Sequence, residues 1–81
     1  MSRDEVLDLV RSHLSEELEI DTAEIAEGTR FKEDLDADSL DLYELVMELE
    51  DRYGITVSEQ QAAQIETVGD AVDFVVEHAP A

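Results

Sequence analysis

The 81 residues contain no cysteine. That excludes a disulfide framework and a thiolate metal site, and any thiol chemistry must come from a group attached to the chain. Basic residues are almost as scarce. Five Lys and Arg face 23 Asp and Glu, a net charge of -18. Such a surplus argues against nucleic acid and anionic membrane surfaces, whose phosphates would be repelled, and favours partners carrying Lys and Arg patches. A solvated acidic face that only promotes solubility is the plainer reading of the same charge. No run approaches the roughly 20 apolar residues of a membrane span, and the opening residues, MSRDEVLDLV, lack the charged and apolar regions of a signal peptide. The expectation is a cytoplasmic protein with no membrane insertion. Internal repeats and low-complexity tracts are also missing, and the length suits one small domain over residues 1–81 with a modest core.

What is present is helical punctuation. Apolar residues make up 43% of the chain, enough to offset ordering entropy if they segregate to one side of each element. Val6, Leu7, Val10, Leu14 and Leu18 form a helical stripe over Arg3 to about Leu18, with Ser2 as cap and Glu5 completing a capping box. A long connection follows, from Glu19 to Phe31. In it Asp21 caps a short turn, Gly28 breaks the pattern, and Ile20, Ile25 and Phe31 are expected to anchor the segment. Gly54 ends a second helix that starts at Asp38. Ile55-Thr56-Val57 reads as an extended connector, because no partner strand exists elsewhere. Ser58 with Gln61 caps a short third helix that points Ala62 and Ile65 inward. Thr67 with Asp70 caps the last, which runs from Val68 to about His78, ends near Pro80 and places Val68, Ala71, Val72 and Val75 on one face. The predicted fold is all-α: a small four-helix bundle of three longer helices plus one short one, with a long loop between the first two.

The second helix carries two apolar rows. At about 100° per residue, Leu42, Leu45, Val46, Leu49 and Tyr53 cluster on one side as a core-facing stripe. Leu40, Tyr43 and Met47 lie roughly 130° away, bordered by Asp41, Glu44, Glu48 and Asp51. For a generic helix, burial on two sides would explain the second row. Here the acidic border points instead to an exposed docking surface, in which the acids meet a basic patch and the apolar row fills a hollow in a partner. At the helix start Asp38 is the expected N-cap and Asp41 the N3 residue. Ser39 becomes the first helical residue, its hydroxyl beside free N–H groups that favour an anion.

The sequence LDADSLDLYELVMELEDRYGI, with Asp-Ser-Leu-Asp at Asp38 to Asp41, closely resembles the acyl carrier protein family around its modified serine. The resemblance extends over essentially the whole chain, from the first amphipathic helix through the loop ending in Phe31 and Leu35 to the Thr67-Val68 segment and final helix. It implies a non-enzymatic carrier in which Ser39, flanked by Asp38, receives 4'-phosphopantetheine from coenzyme A through a phosphopantetheinyl transferase. Acyl groups then ride on the arm as thioesters. The implied partners are ketosynthase, acyltransferase, reductase and dehydratase type enzymes of fatty acid or polyketide synthesis, met by a monomer through Leu40, Asp41, Tyr43, Glu44, Met47, Glu48 and Asp51. Family members can also shelter the acyl chain between their helices, for which Val46, Ala62, Ala71, Val72 and Val75, with Leu42 near the mouth, would leave room. One departure stands out: Asp36 occupies the place where the family usually has glycine, which alters the turn before the helix and adds a charge near the arm.

Other readings of the same residues fare less well. Asp34, Asp36 and Asp38 copy positions 1, 3 and 5 of an EF-hand loop, but Ser39 stands at position 6 and Leu45 at position 12, where glycine and a bidentate glutamate belong. No dedicated metal site is expected. The acids sit on exposed helical positions, unsuited to an acid and base pair that needs a partly dry pocket. His13 and His78 are isolated, and nothing pairs either with Ser39 as a base, so Ser39 is expected to be a substrate for modification. A peptidyl or aminoacyl carrier, or an unmodified acidic helical adaptor, are the alternatives.

Overall fold

The computed structural model describes residues 2–79, and the expected helix end near Pro80 lies outside them. Among the described residues the elements are α1 (Arg3–Leu18), a 3-10 turn (Thr22–Glu24), α2 (Ser39–Tyr53), α3 (Glu59–Gln64) and α4 (Val68–His78). The all-α bundle with three longer helices, one short helix and a long first loop is therefore what the chain adopts.

Each helix starts where a side chain can satisfy an orphan N–H. Ser2 accepts from the Glu5 N–H, without the return bond that would complete the box. Asp38 with Asp41, Ser58 with Gln61 and Thr67 with Asp70 each form both halves. The stops are of two kinds. Gly54 ends α2 in the left-handed region at φ 66°, where a residue without Cβ carries no penalty, whereas Glu19 ends α1 in the same conformation at φ 56°.

The core forms one cluster of buried side chains. Val6, Val10 and Leu14 of α1 meet Val68, Ala71, Val72 and Val75 of α4, while Leu45 and Leu49 of α2 and Ile25, Phe31, Ala37, Ile55 and Ile65 of the connections close it. α1 packs most extensively against α4. Leu7, Leu18, Leu42 and Tyr53 lie partly buried at its edge.

The long loop is fastened to the far end of the chain. Arg30 and Thr67 form an isolated antiparallel bridge, in which the Phe31 N–H donates to the Glu66 carbonyl (3.1 Å) and the Val68 N–H to the Thr29 carbonyl (2.9 Å). One residue further, the Gly69 N–H donates to the Glu27 carbonyl at 2.7 Å. A Cβ at position 69 would lie 3.0 Å from that carbonyl oxygen, a tight contact that glycine avoids and that a larger residue would meet by a shift of a few tenths of an ångström. Arg3 reinforces the same junction by bridging Glu27 of the loop and Asp73 of α4. The loop is thus pinned from Glu27 to Phe31, and its next turn delivers Asp38 to the start of α2.

Candidate functional site

Ser39 is exposed and is the first residue of α2. The cap is tight: the Asp41 N–H donates to Asp38 at 3.0 Å and the Asp38 N–H donates to Asp41 at 3.2 Å. Those bonds use the two flanking carboxylates. The Ser39 hydroxyl has no hydrogen-bond partner among the described residues, and the first N–H groups of the helix have no intrahelical acceptor. An oxygen standing free beside unsatisfied donors at the positive end of a helix is suited to carry a phosphodiester. A covalently attached phosphate group fits this donor set.

The turn that presents Ser39 depends on an unusual backbone. Asp36 lies in the left-handed region at φ 54°. The glycine expected there would enter this region freely; Asp is one of the few side chains that tolerate it. The extra charge is therefore accommodated without displacing the helix start.

Beside Ser39 opens a cavity of about 370 Å3 between α2, α3 and the loop. Buried Phe31, Leu45, Leu49, Ile65 and Ala71 form its floor, and Leu42, Tyr43 and Ala62 reach its walls. Of the small residues expected to leave room, Val46, Ala62 and Ala71 do line it. Val72 and Val75 do not; they are fully buried on the face of α4 that packs against α1.

The second apolar row of α2 is outside the core. Leu40, Tyr43 and Met47 are 64%, 52% and 60% exposed. The acids beside them are not equivalent. Asp41 is half-buried and engaged in the cap, and Glu48 is half-buried and paired with Arg52 at 3.7 Å. Glu44 and Asp51 are exposed, with no basic partner among the described residues.

One association escaped the sequence reading. The carboxylates of Glu17, Asp41 and Glu44 converge, with oxygens within 4.8 Å of one another. A shared proton with Glu44, then partial desolvation, then the charges of Glu44 and Asp41, push the Glu17 carboxyl up to about 7. No periodicity within one helix reveals a contact between the end of α1 and the start of α2. The EF-hand-like acids do not converge in this way: Asp34 accepts the Arg30 N–H at 2.8 Å, and Asp38 serves the cap.

The histidines are remote from nucleophilic chemistry. His78 Nδ1 lies 2.9 Å from the Phe74 carbonyl with its ring stacked on Phe74, and neither His78 nor His13 bonds Ser39. Nε2 of His13 is buried without a partner, more enclosed than the surface role its sequence position suggested.

This geometry has relatives. The family model described as a phosphopantetheine attachment site matches residues 8–75, most of the chain. The chain belongs to the acyl carrier protein family. It is 45% identical over 78 residues to an acyl carrier protein of Rubrobacter xylanophilus, covering 96% of both chains. It is 47% identical over 68 residues to one of Chlamydia caviae, covering 84% of this chain and 88% of the other. Among solved structures, an acyl carrier protein from Enterococcus faecalis superposes with a TM-score of 0.84 at 40% identity, covering 98% of this chain and all of that one. An acyl carrier of this family bears covalent 4'-phosphopantetheine. The four-helix arrangement of this chain is thus that of an acyl carrier protein.

Proposed function

We propose that Ser39 is the attachment point of the 4'-phosphopantetheine arm, and that residues 1–81 act as a single carrier domain delivering acyl thioesters to the enzymes of fatty acid synthesis. The reading is carried by an exposed hydroxyl, free of partners at the first position of α2, opening onto an apolar-floored cavity. Ser39 contributes the oxygen that forms the new bond to phosphorus of coenzyme A as the bond to the nucleotide part breaks. Its proton leaves to a base of the transferase, because among the described residues no side chain hydrogen-bonds the hydroxyl and the flanking Asp38 and Asp41 are engaged in the cap. When bound, the arm supplies the thiol on which acyl groups are held. The chain's own residues orient and protect: Asp38 and Asp41 fix the helix start, and the cavity lined by Leu42, Val46, Ala62 and Ala71 shields an acyl chain from water. On this reading Ser39 is the acceptor of the group, and the partner enzymes supply the catalysis.

Leu40, Tyr43 and Met47, flanked by Glu44 and Asp51, form the face to which partner enzymes bind in turn. Charge steers their approach, and the small apolar row permits quick release. Intact-mass spectrometry after incubation with coenzyme A and a broad-specificity phosphopantetheinyl transferase tests the attachment. The wild type gains one phosphopantetheine and Ser39→Ala gains none. A wild type that stays at its starting mass overturns the reading in favour of an unmodified adaptor.

A further inference from the structure

A phosphodiester on Ser39 adds an anion where the chain is already crowded with them. Asp36, Asp38 and Asp41 lie within three residues, in a molecule of net charge -18. The helix end offers only partial positive charge, so a full cation nearby would matter. Four of the five basic residues are committed. Arg3 bridges Glu27 and Asp73, Arg11 donates to the Thr22 carbonyl, Arg52 pairs with Glu48, and Arg30 pairs with Glu33 and Asp34. Lys32 is exposed and has no ion pair or hydrogen bond from its ammonium to any described residue. It lines the same cavity as Ser39.

We propose that Lys32 is a positioning residue whose ammonium pairs with the phosphodiester on Ser39 and holds the root of the arm over the cavity mouth. This rests on the reading of Ser39 as the attachment point. A lysine suits the task better than an arginine fork, since it offers a compact charge on a flexible stem that can follow a group as it moves between cavity and solvent. The chemistry recognised is a single negative charge at the rim. The carboxylate of an acidic acyl cargo would present the same charge, and the experiment separates the two sources.

The test uses the arm-bearing protein as wild type, Lys32→Met and Lys32→Arg, each checked by intact mass and circular dichroism. The phosphorus-31 resonance of the phosphodiester is followed from low to high salt, and the arm thiol is timed against a neutral disulfide. In Lys32→Met the resonance moves and loses most of its salt response, and the thiol reacts roughly threefold faster, as expected for loss of an exposed ion pair. Lys32→Arg restores most of both. An unchanged resonance and rate in Lys32→Met overturn the proposal while the added mass leaves Ser39 standing as the attachment point. No added mass in the wild type overturns the attachment reading, and this proposal with it. Butyryl-loaded and malonyl-loaded forms are then compared. Equal response to Lys32→Met in both supports the phosphodiester, whereas a response confined to the malonyl form assigns Lys32 to the cargo and overturns the pairing proposed here.

Discussion

Asp36 holds a left-handed backbone conformation that glycine enters freely and other residues enter at a cost, at φ 54° in the turn leading to Ser39. Asp36→Gly removes that cost and one of the crowded carboxylates, against a larger loss of backbone entropy on folding. The balance is expected to be a gain of about 0.5–1 kcal/mol in unfolding free energy, read by urea denaturation; a loss would show that the Asp36 side chain holds the turn. Glu17 makes the second prediction. Its carboxyl is raised from 4.5 to about 7, so between those values the folded protein binds more proton than the unfolded chain. Stability contributed by this group is full below its unfolded value and falls as pH rises through about 7. Melting temperature should decline over that interval, and Glu17→Gln should flatten the decline. A wild-type curve indifferent to pH in this window would contradict the shared proton.

Among the elements, the helix starts were legible and the contacts between helices were not. Ser2, Asp38, Ser58 and Thr67 announce their caps because capping is local chemistry, complete within four residues. The 3.6-residue period likewise separated Leu45 and Leu49, which are buried, from Leu40, Tyr43 and Met47, which are not. Nothing in the period of α4 said that Gly69 would receive the Glu27 carbonyl, or that Val72 and Val75 would face α1 instead of the cavity. Those facts depend on how elements meet across many intervening residues. The proposed docking row shows both sides of this limit. Its exposure was readable, but its line of acids is uneven, with Asp41 drawn into the cap and Glu48 tied to Arg52. Reversing Glu44 and Glu48 together to lysine should lower kcat/KM for transfer of phosphopantetheine by about tenfold. Loss of the Glu48 and Arg52 pair costs only about 0.5 kcal/mol, so far-ultraviolet circular dichroism should be unchanged. A collapse of helicity would mean that these acids hold up the bundle.

For the whole molecule the governing quantity is the net charge of -18 within principal extents of 31 × 25 × 19 Å. At about 0.01 M salt the screening length is about 30 Å, comparable to the protein itself, and at about 1 M it is about 3 Å. Every acid therefore feels every other in dilute buffer and few of them in concentrated salt. Melting temperature should rise by about 5 °C or more across this range, since about 1 kcal/mol moves a domain of this size by that amount. A flat response would mean that self-repulsion among the acids does not limit the stability of the fold. The distribution of burial adds something beyond charge. The floor of the cavity belongs to the common core, but α3, which forms one side, is six residues long and has no buried residue of its own. It is secured at its ends, by the Ser58 cap and by Ile65. If the cavity shelters an acyl chain as proposed, it is a container with one yielding panel: a longer guest should be admitted by pushing α3 outward, leaving the paired helices behind it in place.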